Sequence, residues 1–174
     1  ASMRIFKGII AILVVSNGEM AKRLYDAEFP AKEAFFEDLY GMQKIIQDKT
    51  GVLTTLMRFP GGSSNAVSKF NPGIMTRLTK MVEAQGYQYF DWNVDSDDAG
   101  AARTADEVFY NVVHGKNNKW RGCEDGKISV VLQHDIHKYS VEAVERIIQW
   151  GLENGYTFLP LDSTSPTAHH SVNN

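Results

Sequence analysis

Two histidines and an aspartate follow directly on an apolar stretch in the second half of the sequence. The segment SVVLQHDIHKYS, residues 129–140, runs from apolar residues into His134, Asp135 and His137. An imidazole group has an ordinary pKa of about 6.5 and can pass a proton at neutral pH. His134, at the end of the apolar stretch, is therefore the candidate for proton transfer, and the alternative is a hydrogen-bonded residue that ends a strand. His137 is expected to face solvent.

Arg58 begins a segment that could bind a carboxylate. The sequence RFPGG, residues 58–62, joins a guanidinium group to a rigid proline and two conformationally permissive glycines. A guanidinium group can bind a carboxylate through two parallel hydrogen bonds, so this turn could hold an acidic partner. The alternative is a plain turn between a strand and a helix, with a surface arginine.

Three aspartates and a tryptophan lie close together in the middle of the chain. Asp95, Asp97 and Asp98 could bind a cation, form an acid–base cluster or belong to a solvated acidic turn, which is the commonest case for a run of like charges. Trp92 precedes them among aromatic residues and is by default a core residue. Its alternative role is to stack on a sugar ring.

The order of apolar and polar segments predicts an α/β fold. Short β-branched or aromatic runs alternate with helical stretches, which is typical of a parallel sheet. Thr104 and Glu107 form a capping box, and Ser140 is the expected N-cap of the last long helix. The candidate helices begin near Pro30, Pro72, Thr104 and Ser140, and the candidate strands are 9–15, 52–57, 87–94, 128–133 and 156–161.

The segments with chemical potential all follow candidate strands. Residues 58–65, 95–100 and 134–137 come directly after the second, third and fourth of them. In parallel α/β folds the loops that leave the carboxyl ends of the strands form the active site. We therefore expect these three loops to share one rim of the sheet.

Composition excludes several classes of protein. The chain has 174 residues, 43% of them hydrophobic and 22% charged, which suits one globular domain. A net charge of −3 gives a nucleic-acid partner no electrostatic support. The apolar run 9–15 is too short for a membrane span, which needs about 20 residues, and a single cysteine, Cys123, excludes an internal disulfide and a multi-cysteine zinc site. We expect a domain over residues 1–161 and a loosely held tail over 162–174, in which His169 and His170 are flexible.

In their order along the chain, the three loops resemble the last three motifs of the polysaccharide deacetylase family, the NodB-type carbohydrate esterases of family 4. The similarity extends over about residues 30–161. The Arg-x-Pro motif is matched by Arg58-Phe59-Pro60, the Asp-x-x-Asp-Trp motif by Asp95-Ser96-Asp97-Asp98 with Ala99 in place of tryptophan, and the Leu-x-His motif by Leu132-Gln133-His134.

This resemblance implies a fold and a reaction. The family removes acetyl groups from chitin oligomers, peptidoglycan or xylan with a divalent metal such as zinc, and its domain is an irregular (β/α)7 barrel. The resemblance implies that this chain forms an incomplete barrel of this type with about five parallel strands, the C-terminal two-thirds of the whole. Its partner would be an acetylated carbohydrate, and its location would be secreted or in the cell envelope, although the sequence contains no recognisable signal peptide.

The resemblance also implies roles for individual residues. His134 would be the general acid that protonates the leaving amine or alcohol, and Asp95 or Asp98 would tune it. Arg58 would orient the catalytic aspartate, and Leu132 would form a wall of the acetyl pocket. The substrate-binding residues would be Phe59, Pro60, Gly61, Trp92 and Leu132.

Two family motifs have no counterpart in the sequence. Thr-Phe-Asp-Asp-Gly, which supplies the catalytic base and a metal carboxylate, is missing, and His-x-x-x-His aligns with LVVSN, where Leu13 and Asn17 replace both histidines. We therefore expect no tightly bound metal or other cofactor, and weak or no activity. The alternative is a carbohydrate-binding or scaffold module without catalysis.

The motif alignment bears on assembly as well. The family barrel has about two strands before its second motif that this sequence does not match, so strands 9–15 and 156–161 are expected to expose unpaired edges. Exposed edges favour pairing with another chain, and the sequence therefore predicts a homodimer. No nucleic-acid partner and no membrane span are expected.

Overall fold

The computed structural model describes residues 4–7, 30–116 and 119–173, with side chains from residue 33 onward. These residues fall into two compact units. Unit 1 comprises 4–7, 91–116 and 119–168, and unit 2 comprises 30–90 and 169–173. In chain order, the strands and helices are β1 (Arg4–Lys7), α1 (Pro30–Thr50), β2 (Leu56–Met57), α2 (Ile74–Ala84), β3 (Gln88–Tyr89), β4 (Val94–Asp95), α3 (Ala105–His114), β5 (Gly115–Lys116), β6 (Trp120–Arg121), β7 (Ser129–Leu132), α4 (Lys138–Glu153) and β8 (Tyr156–Phe158).

Unit 1 contains a parallel sheet in the strand order β4-β7-β1-β8. Its strands alternate with α3 and α4 along the chain, so the predicted α/β class is confirmed. The register pairs Asp95 with Leu132, which sets the carboxyl ends of β4 and β7 side by side. The loops that leave these two strands therefore begin next to each other.

The core of unit 1 forms where α3 and α4 pack together and cover the sheet. Both helices are amphipathic and place small or β-branched side chains inward, so the two helices approach closely. The predicted capping box at Thr104 and Glu107 is present at the start of α3. The buried core residues are Val94, Ala102, Val108, Val112, Cys123, Val131, Ala143, Ile147 and Tyr156.

Unit 2 is built on aromatic packing around the parallel pair β2 and β3. Phe59 lies in its centre, stacked on Phe35 at 6.0 Å and edge-on to Tyr89 at 5.3 Å. Helices α1 and α2, which begin near the predicted positions Pro30 and Pro72, each contribute an apolar face. The buried core residues are Phe35, Phe36, Leu39, Met57, Phe59, Ile74, Met75, Leu78, Val82, Tyr87 and Tyr89.

The candidate strand 87–94 is two strands, β3 in unit 2 and β4 in unit 1, and the expectation of one strand was wrong. Asn93 explains the interruption before β4. Its backbone N–H donates to Val130 O at 3.0 Å, but its side-chain oxygen accepts from Val130 N at 2.9 Å. The side chain thus replaces a backbone acceptor, and the regular ladder starts only at Val94. Strand β1 was not predicted, and the candidate strand 9–15 lies outside the described residues.

The end of the chain makes specific contacts, whereas the sequence analysis expected a loose tail. In unit 1, Thr167 O accepts from Asp91 N at 2.9 Å. In unit 2, the His169 ring stacks on Tyr89 with 3.8 Å between centroids, and His170 Nδ1 lies 2.9 Å from Ser64 Oγ. Both histidines, which were expected to be flexible, therefore have specific partners in unit 2.

Helix α4 begins at Lys138, and its N-cap is His137. The prediction that Ser140 caps this helix was wrong. Ser140 lies within the first turn and is fully buried, and its hydroxyl group contacts residues outside the helix. None of the described helices is long and apolar enough to cross a membrane.

Candidate functional site

The candidate site of unit 1 lies where β4 and β7 end. The loop after β4 carries the aspartates, and the loop after β7 carries His134. Because Asp95 and Leu132 are paired in the sheet, both loops leave from the same edge. The parallel ladder therefore brings Asp98 and His134 together, although they are 36 residues apart.

Asp98 is the centre of this site. Only 1% of the residue is exposed, and its two carboxylate oxygens accept four hydrogen bonds. Oδ1 accepts from Ser96 Oγ at 2.9 Å and lies 2.8 Å from His134 Nδ1. Oδ2 accepts from His134 N at 2.6 Å and from Ser140 Oγ at 2.6 Å. A carboxylate has about four acceptor positions, so this group is saturated with donors.

These contacts determine the protonation state of Asp98. Burial by itself raises the pKa of the carboxyl group. The hydrogen bonds from the His134 ring, Ser140 and the His134 backbone, together with the charge of His134 when protonated, outweigh burial and lower the pKa to about 2. Asp98 is therefore ionised at neutral pH, as a carboxylate surrounded by donors should be.

An ionised Asp98 fixes the role of each His134 ring nitrogen. The carboxylate can only accept, so Nδ1 must carry the hydrogen that it donates to Oδ1. Proton exchange with another molecule consequently falls to Nε2. The His134 side chain is 11% exposed, which leaves an edge of the ring accessible.

Asp95 has different partners from Asp98. Its Oδ1 accepts from Asp97 N at 2.8 Å, and its Oδ2 accepts from Trp92 Nε1 at 3.0 Å. Of the two aspartates considered for tuning His134, the structure brings Asp98 to the imidazole. Trp92 is 8% exposed and lies 5.9 Å from Trp120 between ring centroids, so it packs within unit 1.

The acidic turn is tightly organised. Asp97 has a positive φ of 57° and forms an ion pair with Lys116, and its Oδ2 also accepts from Ala101 N at 3.1 Å. A solvated turn is therefore the wrong interpretation for Asp98, which is buried, and Asp97 already has a cationic partner. No group of three or more His, Cys, Asp or Glu residues is placed to hold a metal ion within the described part of the chain.

The Arg58 loop belongs to unit 2 and is held mainly by Asn65. The Asn65 side-chain nitrogen donates to Pro60 O at 3.2 Å and Gly62 O at 2.9 Å, and its oxygen accepts from Val67 N at 3.0 Å. Arg58 Nη1 donates to Phe59 O at 3.2 Å. The Asn65 side chain therefore bridges both ends of the turn, and the Arg58 guanidinium group adds a bond to the backbone next to it.

The predicted substrate-binding residues of this loop differ in accessibility. Phe59, expected to bind substrate, is 1% exposed and its side chain packs within the core of unit 2. Pro60 is half-buried and Gly61 is exposed with a φ of +68°. Leu132, in unit 1, is 8% exposed at the end of β7.

Three residues of the site were not found from the sequence. Ser96 and Ser140 donate to Asp98, and Tyr139 donates from its hydroxyl to Asp98 O at 2.9 Å. Serine and tyrosine occur at many surface turns, so their types carried no signal. Only the alternation of buried and exposed positions near the start of α4 could have indicated that Ser140 faces inward.

Among the described residues, the available side chains do not form a site for the zinc that the family resemblance implies. All five histidines of the sequence lie at or after residue 114, and His134 is committed to Asp98 through Nδ1. The chain has one cysteine, Cys123, which is buried in the core of unit 1, and burial raises the pKa of its thiol to about 12. No catalytic step is therefore assigned to a metal here.

Comparison with known proteins supports the motif resemblance. The chain is 49% identical to the catalytic domain of peptidoglycan N-acetylglucosamine deacetylase from Eubacterium rectale, and matches its crystal structure with a TM-score of 0.75 over 87% of this chain and 65% of that one. A polysaccharide deacetylase from Bacillus cereus is 28% identical, with a TM-score of 0.61 over 88% of this chain and 66% of that one. No protein-family model matches.

A curated relative gives the same assignment. A peptidoglycan-N-acetylglucosamine deacetylase from Bacillus cereus is 30% identical over 140 residues, which are 75% of this chain and 43% of that protein. The chain spans less than half the length of the curated relatives that it matches. The chain therefore belongs to the polysaccharide deacetylase family, carbohydrate esterase family 4, and corresponds to a C-terminal part of its catalytic domain.

Proposed function

We propose that this chain carries the proton-donating part of a carbohydrate deacetylase site, and that its substrate is peptidoglycan with N-acetylated sugars. The observation that carries the proposal is the buried pair of Asp98 and His134 at the ends of β4 and β7. Its relatives at 49% and 30% identity are named peptidoglycan N-acetylglucosamine deacetylases, which supports this substrate over other acetylated polymers.

The chemistry assigned to His134 is protonation of the leaving group. When the C–N bond of an acetamido group breaks, the nitrogen must take up a proton to leave as a neutral amine. His134 Nε2 donates that proton and the ring becomes neutral, while Nδ1–H stays bonded to Asp98 Oδ1. Asp98 remains ionised throughout because its four donors favour the charged form.

The other roles follow from the family motifs. Arg58 would orient the carboxylate that acts as base, and Leu132 would form a wall of the acetyl pocket. Trp92, Pro60 and Gly61 would contact the sugar, and Asp95 would hold Trp92 in place through its indole N–H, which donates to Asp95 Oδ2 at 3.0 Å. We also propose that the chain forms part of an irregular (β/α)7 barrel with about five parallel strands.

Neither the base nor the metal donors of the family are recognisable in this sequence. An acid is useful only after water has been activated, so we propose that this chain by itself releases acetate weakly or not at all. The absence of the Thr-Phe-Asp-Asp-Gly and His-x-x-x-His sequences favours one alternative. This alternative is a carbohydrate-binding or scaffold module that retains the three loops but catalyses no reaction.

A chimera with the Eubacterium rectale deacetylase tests the proposal. The part of that catalytic domain not covered by this chain, about a third of its length, would be joined to the whole of this chain, so that β1 is retained. We expect acetate release from N-acetylglucosamine oligomers by the chimera. His134→Ala in the chimera should lower kcat by about 10² to 10⁴, which is the usual contribution of a positioned general acid.

His137→Ala is the matched control because His137 lies three residues further along the chain and its ring stacks on Tyr139, whereas the His134 ring is hydrogen-bonded to Asp98. Equal losses for the two histidine variants would contradict the acid role of His134. Acetate release by the unmodified chain, abolished by a chelator, would contradict the claim that its own residues do not complete the site. Binding of the oligomers by an inactive chimera would favour the carbohydrate-binding alternative.

The predicted homodimer rests on sheet edges alone. Strand β8 is at the end of the strand order in unit 1, next to β1, and Tyr156–Phe158 would be the edge available for pairing. We propose that two copies associate there, and light scattering of the chain at about 10 to 100 μM measures it. A monomer over that range would contradict the dimer.

A further inference from the structure

Ser140 connects the two loops of the candidate site through its side chain. It lies in the first turn of α4 and is fully buried. Its Oγ is 2.6 Å from Asp98 Oδ2 and 2.6 Å from His134 O. Both neighbours are acceptors and a hydroxyl group has one hydrogen, so the ionised carboxylate, as the stronger acceptor, takes the larger share of it.

The backbone of Ser140 is itself fixed on both sides. Its N–H donates to His137 O at 3.0 Å, and its carbonyl accepts from Gln133 Nε2 at 2.7 Å. Gln133 directly follows β7, so Ser140 is tied to the strand end as well as to the helix. A buried hydroxyl held in this way has little freedom to turn away from Asp98.

The Asp98 carboxylate needs such a constraint. The torsion that turns a carboxylate about its Cβ–Cγ bond is soft, and rotation would remove Oδ1 from His134 Nδ1. Ser96 donates to Oδ1, but it belongs to the same loop, two residues before Asp98. Two donors to Oδ2 come from outside this loop, the His134 N–H and Ser140 Oγ, both at 2.6 Å. Of these two, only the Ser140 hydroxyl group belongs to a helix and can be removed by substitution of its side chain.

We propose that Ser140 is a positioning residue for His134. Its hydroxyl group holds the Asp98 carboxylate in the plane that receives Nδ1–H, and thereby keeps His134 in the tautomer that leaves Nε2 to exchange a proton. The catalytic consequence of this inference depends on the proposed function, whereas the effect on the imidazole does not.

Nitrogen NMR of the histidine side chains tests the inference on the chain itself. At a pH where His134 is neutral, the unmodified chain should show a single tautomer with the hydrogen on Nδ1. In Ser140→Ala we expect a mixture of both tautomers at His134, because Asp98 Oδ2 then keeps only the His134 N–H and the carboxylate can turn more freely. Ser140→Thr retains the hydroxyl group and should restore the single tautomer.

Ser129→Ala is the matched control, since Ser129 is an equally buried serine of unit 1 whose hydroxyl donates to Lys127 O at 3.3 Å, at the opposite end of β7. It should leave the His134 tautomer unchanged even if it lowers stability as much as Ser140→Ala. A single Nδ1–H tautomer in folded Ser140→Ala would overturn the inference. If Ser140→Ala does not fold, Ser140→Cys, which retains only a weak donor, is judged by the same two outcomes.

The active chimera separates this inference from the proposed function. There, Ser140→Ala should lower kcat with little change in KM, by up to about 10²-fold, because a small misplacement of a reacting group costs that much. An inactive chimera together with a mixed tautomer would reject the proposed function and retain the positioning role. An active chimera insensitive to Ser140→Ala would reject the role in catalysis.

Discussion

Helices α3 and α4 both follow a loop that leaves the sheet of unit 1, and both have a hydroxyl residue near their start, but the hydroxyl groups have different partners. Thr104 Oγ1 accepts from Glu107 N at 3.2 Å in an exposed capping box. Ser140 Oγ is buried and contacts Asp98, 42 residues away. The Thr104 hydroxyl group caps the helix that it precedes, whereas the Ser140 hydroxyl group donates to a charged group of another loop.

The difference shows what a helix start can do when it is buried. At α3, solvent can hydrate whichever backbone groups the cap leaves open. At α4, the charge of Asp98 is removed from water, so its donors must come from the protein, and a missing donor is costly. The start of α4 therefore supplies a hydrogen bond to the site, whereas the start of α3 stabilises only its own helix.

The largest expected effect separates the two carboxylates that these hydroxyl groups contact, Asp98 and Glu107. Asp98→Asn replaces an acceptor oxygen with an NH₂ group that would face donors from His134, Ser96 or Ser140. We expect a loss of about 3 kcal/mol in the free energy of unfolding at pH 7, in the range found when one partner of a buried pair is removed. Urea unfolding measures this loss.

Glu107→Gln is the counterpart at the exposed start of α3. The pKa of Glu107 is lowered by hydrogen bonds from Arg103 N and from Thr104, but the group faces water, which can replace these donors. Its loss should be much smaller than that of Asp98→Asn. Similar losses for the two variants would mean that burial of Asp98 does not distinguish the two sites.

The next effect is on acid stability, and its sign follows from the lowered pKa of Asp98. The unfolded chain takes up the proton near the usual value of 3.8, and the folded chain only near 2. Between about pH 4 and pH 2 the unfolded state therefore binds more protons, and stability falls as pH falls. The stability difference between the unmodified chain and Asp98→Asn should shrink by about 2 kcal/mol over this window.

Urea unfolding of both proteins at several pH values between 5 and 2 checks this window. The other carboxyl groups are common to both proteins, so their contributions cancel in the difference. A difference that stays constant down to pH 2 would show that the folded chain does not hold Asp98 ionised below its usual range.

The same contrast explains which features could be predicted from the sequence. The capping box of α3 was predicted correctly because both of its members lie within four residues, so spacing alone identifies it. The presence of helices after Thr104 and near Ser140 was predicted for a similar reason, since helical periodicity is local. The N-cap assignment of Ser140 was wrong because a local rule was applied to a residue whose partner is remote.

The site shows the same limit. Motif order brought Asp98 and His134 into consideration, but it left Asp95 and Asp98 as equal candidates for the partner of the histidine. Only the register of β4 on β7, with Asp95 opposite Leu132, places Asp98 at the imidazole. Phe59 was assigned to substrate because motif position gives no information about burial, and the aromatic core of unit 2 contains it.

The smallest expected effect concerns the exposed cap itself. Thr104→Ala removes the hydroxyl group that accepts from Glu107 N and that also lies 3.1 Å from Glu107 Oε2. We expect a loss of about 1 kcal/mol in the free energy of unfolding, the usual cost of deleting an N-cap side chain. Thr104→Ser keeps the acceptor and should lose little stability.

Because Thr104 has no contact with Asp98 or His134, the His134 tautomer should be the same in the unmodified chain, Thr104→Ala and Thr104→Ser. Nitrogen NMR measures this, and the result should contrast with that for Ser140→Ala. A mixed tautomer in Thr104→Ala would mean that the start of α3 also affects the site. The two helix starts would then not differ in their influence on His134.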